Sequence, residues 1–282
     1  ETRWIGNVFA ANVSYGFDPH DHSDYFVVRF NAAYGNGSHG IIFSRGCRFN
    51  EVTFNVSYGN GKHGIVLDDG PNLNPDGTPR ERQGIPSDDN IVAANLVWNN
   101  DIGIVLDGGT RNVIRGNWLL GNRIGIRMKD AVSGNEVTGN RIVASAEYGV
   151  YLYNGSDDNR VTENAVDGAG TGLVVKDSVG TQIERNRFGR IRQQAMSFSG
   201  DVGGTAIVGN TVVDAATAID LKRATGTESV RQEGNTVPPA RTDPLRNPAW
   251  RWLAWSLLLI TPVLAGPWWG KGIAVLKRRM VK

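Results

Sequence analysis

Short β-branched runs recur along this chain at a spacing that no helix would produce. Each copy opens on Gly and continues as an alternation of apolar and variable positions: Gly16-Phe17, Gly40-Ile41, Gly64-Ile65, Gly103-Ile104, Gly125-Ile126, Gly149-Val150 and Gly172-Leu173. Two decayed copies follow at Ala195-Met196 and Ala218-Ile219, and the successive steps are 24, 24, 39, 22, 24, 23, 23 and 23 residues. A second series, Asn31, Asn55, Asn95, Asn117, Asn140, Asn164, Asn186 and Asn210, keeps nearly the same phase. The copies lack both a 3.6-residue period and the Leu frame of a leucine-rich repeat. The pattern predicts an all-β fold: a right-handed parallel β-helix of about 22–24 residues per coil over residues 1–236. Asn is expected at the bends, in left-handed backbone geometry and able to ladder from coil to coil.

Strand alternation assigns faces. The first and third residues after each Gly, from Phe17 and Pro19 to Leu173 and Val175, should point inward. The second and fourth then point out: Asp18 and His20, Ile42 and Ser44, Val66 and Asp68, Val105 and Asp107, Arg127 and Lys129, Tyr151 and Tyr153, Val174 and Lys176. One outer face thus carries acids and imidazoles at one end and a basic, aromatic strip further along. The step of 39 marks an inserted loop over 68–89, dense in Gly and Pro turn signals. It leaves the solenoid directly after that outer strand and reads either as a lid over the face or as a plain surface excursion.

The repeats stop at Pro238-Pro239, and residues 237–249 read as a linker. From Trp252 to Trp269, 18 residues carry no charge, with Trp at both ends. This predicts a transmembrane helix over 250–270 and a basic tail over 271–282, although Pro262, Gly266 and Pro267 interrupt the span. A helix capping the solenoid is the other reading. The positive-inside bias puts the tail in the cytoplasm and the β-helix outside it, periplasmic or at the cell surface.

Charge sharpens this division. Eight of the 30 Lys and Arg and one of the 28 acids lie from Arg241 onward, leaving 22 against 27 in the body. The body therefore has no broad nucleic-acid-binding field, and no nucleic-acid partner is expected. Cys47, the only cysteine, excludes a disulfide framework and a thiolate cluster. Nothing in the pattern requires a metal or a cofactor. The first residue is Glu1 rather than Met, which reads as a processed or N-terminally truncated chain.

The first complete coil breaks its own repeat. It reads Tyr15-Gly16-Phe17-Asp18-Pro19-His20-Asp21-His22-Ser23-Asp24, and the next reads His39-Gly40-Ile41-Ile42-Phe43-Ser44-Arg45. Rule-breaking inside a regular array is where function is expected. Stacking should place Tyr15, His39 and His63 in one column, and Arg45 one coil from His20 and Asp21.

These two segments resemble the mannuronan (alginate) C5-epimerases, a family of right-handed β-helices. The specific match covers about residues 12–67. The resemblance implies His20 as the base, Arg45 as neutraliser of the substrate carboxylate and Asp18 as the residue orienting or tuning His20. It also implies Tyr15, or a water, as the acid on the opposite sugar face, and His63 as a further site histidine. The chemistry fits those residue types. Removing the hydrogen at C5 of a uronate places negative charge beside a carboxylate, which a guanidinium stabilises, and a neutral imidazole can take the proton. Asp21, His39, Ser44 and Asp68 are candidate contacts to an anionic polysaccharide. Arg127, Lys129, Tyr151, Tyr153 and Lys176 on the same face suit further subsites, cations on carboxylates and rings on sugars. Two alternatives remain open. A polyuronate lyase shares the abstraction and then expels the 4-oxygen. A non-catalytic carbohydrate- or metal-binding β-helix, like the periplasmic copper-maturation proteins, would use His20, His22, His39 and His63 as ligands.

Overall fold

In the computed structural model, which describes residues 2–70 and 84–237, each repeat folds into one coil built from short strands. The result is a parallel β-solenoid of the right-handed type with about nine turns. The first sheet has ten strands, from Thr2–Ile5 to Arg231–Glu233, all paired in parallel. The second runs from Val8–Ala10 through Ala165–Asp167. The third contains Ile41–Ser44, His63–Asp68, Ile102–Asp107, Ile124–Lys129, Tyr148–Tyr153 and Thr171–Lys176. In the two long strands Arg187–Asp201 and Thr211–Thr225 the bend between the second and third sheets straightens out, so the two become one sheet there.

The expected faces are the observed ones. Ile41, Phe43, Ile65, Leu67, Ile104, Leu106, Ile126 and Met128 are all within 1% of complete burial, in one continuous core. Pro19, at the open first coil, is only half-buried. The Gly that heads each repeat is imposed by close approach, not by its backbone angle. From Gly40 to Gly172, a Cβ would lie 2.5–2.7 Å from the carbonyl oxygen of the next coil's Gly, or of Ala195 at the end. Gly gives way to Ala at 195 and 218, where the bend itself is lost.

Asn does ladder, in three columns rather than one. Asn7, Asn31, Asn55, Asn95, Asn117, Asn140, Asn164, Asn186, Asn210 and Asn235 form the first. Asn12, Asn36, Asn60, Asn100 and Asn122 form a second. Asn50, Asn90, Asn112, Asn135 and Asn159 form a third. The left-handed conformation expected of Asn in the first column belongs instead to the residue before it: Phe30 at φ 58°, Phe54 at 55°, Ala94 at 54° and Glu163 at 58°. The preceding residue makes the turn, which leaves the Asn extended and its amide aimed inward at the next coil.

Ile42, Val66 and Val105 point away from the core yet are at most 4% exposed. With Ile102 and Ile124 they form a separate apolar cluster on the outer face, with Tyr148 and Tyr151 packed on it. Side-chain columns on either side wall them in, so this face is a groove with an apolar floor rather than a flat surface.

Among the described residues no helix is long and apolar enough to cross a membrane. The expected span over 250–270 and the tail over 271–282 lie outside the described residues, as do residues 71–83 of the insertion. The described ends of the insertion fit closely into the stack. Ile85 donates its N–H to Asp69 and accepts from Gly46, and the Ser87 hydroxyl donates to the Asp68 carbonyl.

Candidate functional site

Four columns of side chains run along the outer face of the third sheet, and strand register sets their order. The first holds Tyr15, His39 and His63, followed by Ile102, Ile124 and Tyr148. Tyr15 stacks on His39 at 5.3 Å and 4°, and His39 on His63 at 4.8 Å and 25°. The floor column holds Ile42, Val66 and Val105, then Arg127, Tyr151 and Val174. The third column runs His20, Ser44, Asp68, Asp107, Lys129, Tyr153 and Lys176. The fourth lies in the turn after the strand. There Asp21 and His22 take left-handed angles of 53° and 62°, directly under Arg45 and Gly46 at 63° and 76°. The Asp21 and His22 amides donate to the Ser44 and Arg45 carbonyls.

This stacking of two left-handed turns brings the chemistry together. Arg45 donates from Nε to Asp21 Oδ1 at 2.7 Å, and Asp21 Oδ2 lies 2.9 Å from His20 Nδ1. One carboxylate thus bridges the imidazole and the guanidinium, and the hydrogen bond from His20 and the bonds and charge of Arg45 hold it below the usual carboxylate range. With Asp21 on Nδ1, His20 is set to present Nε2 as its free, basic nitrogen. The hydrogen bond to His20 comes from Asp21 rather than Asp18. Asp18 faces the same groove within electrostatic reach of His20, and desolvation raises its carboxyl above the usual carboxylate range, the His20 interaction offsetting part of the shift. His20 and Asp21 are about half exposed, and Arg45 is 23% exposed, so all three are open to a ligand.

Tyr15, Asp18, His20, Asp21, Ser44, Arg45, Asp68 and Lys129 line one groove of about 650 Å³, over Ile42. Asp69 and Asp107 line it too, and the sequence reading did not place them in the site. Asp107 was legible, since it aligns with Asp68 in the repeat. Asp69 was not, because the returning insertion and the tight approach of Gly84 and Gly108 set its position. His39, His63, Arg127, Tyr151, Tyr153 and Lys176 share the face but not this groove. Tyr151 and Tyr153 stack on each other at 4.4 Å. Lys129 is held by Asp107 at 2.9 Å and Asp130 at 2.8 Å. Among the described residues no group of three or more His, Cys, Asp or Glu is arranged to hold a metal ion.

Burial pushes His39 down to about 4 and His63 to about 3, with nearby cations and, for His63, the His39 ring adding to the shift. Both are therefore neutral rings at physiological pH, and Nδ1 of each has no hydrogen-bond partner among the described residues. Depressed histidines make the fold acid-labile. Below about pH 6.5 the unfolded chain takes up these protons first, and stability falls until the folded values are reached. Asp69, raised to about 6 chiefly by burial and then by Asp107 and Asp68, acts in the opposite sense over the same window. The readout is therefore a difference: His39→Phe/His63→Phe should lose less melting temperature between pH 7 and 4.5 than the parent. Equal losses would show that these rings do not control acid stability.

The profile of the family described as periplasmic copper-binding protein (NosD) matches residues 82–202, the regular coils, and includes neither His20 nor Arg45. The chain is 33% identical over 134 residues to the mannuronan C5-epimerase of Pseudomonas putida, which covers 45% of this chain and 22% of that protein. Among solved structures, an alginate lyase from Paenibacillus has the same fold, with a TM-score of 0.60 at 15% identity and 79% of each chain covered. The periplasmic alginate epimerase AlgG superposes with a TM-score of 0.47 at 23% identity, over 82% of this chain and 44% of that one. The chain spans about a fifth of the curated epimerase and less than half of AlgG.

Proposed function

We propose that this chain, homologous over part of its length to a mannuronan C5-epimerase, inverts C5 of uronic acid residues in an anionic polysaccharide. One observation carries the reading: His20 and Arg45, from adjacent coils, meet on the wall of one open groove through a single bridging carboxylate. In this reading the substrate carboxylate engages Arg45, whose remaining guanidinium N–H groups can bind it alongside Asp21 or in its place. His20 Nε2 takes the C5 proton, and the guanidinium stabilises the charge that develops on the carboxylate. Asp21 keeps the imidazole in the required tautomer, a positioning role. Tyr15, stacked on neutral His39, stands on the rim as the candidate acid for the opposite sugar face, with water as the other donor. The polymer lies along the solenoid axis, and we place the β-helix outside the cytoplasm, where such polymers occur.

The test is incubation with uronate-containing polysaccharides in deuterated water, read by NMR. Deuterium at an inverted C5 is the expected result, and it should vanish in His20→Ala. β-Elimination begins with the same abstraction, so ultraviolet absorbance from unsaturated chain ends without inverted C5 would replace this reading with a lyase. Label that survives in His20→Ala would remove His20 from the mechanism.

A further inference from the structure

The outer face of the second sheet takes no part in the chemistry above, and over four successive rungs it is apolar. The outward residues there are Ala32, Val56, Leu96 and Trp118 in one column and Tyr34, Tyr58, Trp98 and Leu120 in the next, in the register of the paired strands. Phe30, Phe54, Ala94 and Gly116, each at the left-handed bend just before the sheet, make a third column beside them. The residues between the two strand columns, Ala33, Ser57, Val97 and Leu119, are fully buried, so alternation leaves the named ones outside. Along these columns charge returns only at Arg141, Glu163 and Asp167.

Phe30, Phe54 and Trp118 are 59%, 51% and 46% exposed, which at roughly 150–250 Å² per aromatic side chain leaves about 300 Å² of ring surface open. With the half-buried Tyr34, Val56, Tyr58, Leu96, Trp98 and Leu120 the patch reaches on the order of 600 Å², at the upper end of what a soluble monomer exposes and close to the ~800 Å² per partner of a standard interface. Its rings are poorly placed for stacking on sugars. Tyr34, Tyr58 and Trp98 stack on one another at 4.9 and 4.2 Å, Phe30 on Phe54 at 5.3 Å, and Arg141 covers one face of Trp118 at 5.5 Å. Ring edges rather than ring faces are left for a partner.

We propose that this face pairs with the same face of a second copy, about a two-fold axis parallel to the strands and midway between the Tyr58 and Trp98 rungs. The inference concerns a different surface from the groove and does not rest on the epimerase reading. Such an axis lays each column over itself and reverses the order of the rungs. It then sets large residues against small ones: Trp118 over Ala32, Phe30 over Gly116 and Phe54 over Ala94, with Val56 over Leu96 and Tyr58 over Trp98 at the centre. An uncharged face also needs an uncharged partner, since a lone charge buried against it is costly, and the second copy supplies one. The groove lies on the third sheet and stays open.

Sedimentation velocity of the full chain is the test, and a species of about twice the 30.6 kDa of one chain is expected at micromolar concentration. Trp118→Glu should weaken association about 100-fold or more, as the loss of a central aromatic does, with the circular dichroism spectrum kept. A size swap separates contact from folding. Ala32→Trp and Trp118→Ala should each weaken the dimer about tenfold, and the double variant, which exchanges the large and small positions, should recover it. A monomeric parent overturns the inference, including one that floats with anionic lipid vesicles, which would give the face to a membrane. A dimer that Trp118→Glu leaves intact, or a swap that recovers nothing, places the contact elsewhere and overturns it as well.

Discussion

Replacing Arg45 with Gln is expected to slow deuterium uptake at C5 by about 10²–10³-fold, the usual cost of losing one donor aimed at developing charge. The loss should appear in kcat. The guanidinium binds the substrate carboxylate before reaction, but it matters most when abstraction adds a second charge beside it, so the interaction strengthens in the transition state. A rise in KM with kcat unchanged would mean that Arg45 only binds the polymer. Arg45→Lys should recover little, because a point ammonium on a shorter reach cannot bind Asp21 through Nε and a substrate carboxylate through its terminal nitrogens at once. Stability should change little, since the pair with Asp21 is solvent-exposed and such pairs contribute little. The melting temperature separates a chemical effect from a folding one.

Asn117→Ala should cost about 3–5 kcal/mol, more than most surface or loop substitutions. Asn117 is 1% exposed. Its amide donates to the Val92 carbonyl at 2.9 Å and to Asn140 Oδ1 at 3.0 Å, and its Oδ1 accepts from both the backbone and the side-chain amide of Asn95. Truncation leaves two buried donors of Asn95 without partners and removes a side-chain donor from the Val92 carbonyl, and an unmet buried group costs about 1–3 kcal/mol. The comparison is Asn12→Ala at the exposed start of the second ladder, where no asparagine donates to it, and the expected cost there is below about 1 kcal/mol. Urea unfolding followed by circular dichroism measures both. Similar losses at the two positions would mean that the ladders contribute no more in the interior than at their end.

How far the site could be read from the residues depended on where each one sat. His20 and Asp18 lie in an extended segment bridged to Ile41–Ser44 at Phe17 and His20, where alternation alone decides the face, and both line the groove as expected. Arg45 and Asp21 lie in left-handed turns, where alternation says nothing, and only the register of one turn over the next shows that they touch. For that reason the hydrogen-bond partner of His20, Asp21, was not legible, while Asp18, given an orienting or tuning role, lies within electrostatic reach of the ring. The apolar residues at the outward positions 42, 66 and 105 read as exposed. They are buried because the columns beside them rise above the sheet.

The amino-acid order by itself determined the length of the coil, the inward and outward faces of each strand and the column of Tyr15, His39 and His63. These follow from local periods that repeat identically in every copy. Tertiary structure alone decided which turn residues meet, that the acids gather beside Arg45 and that the floor of the groove is apolar and buried. Those outcomes depend on contacts between residues 24 or more positions apart, such as Arg45 with Asp21, and on a loop return that no repeat encodes.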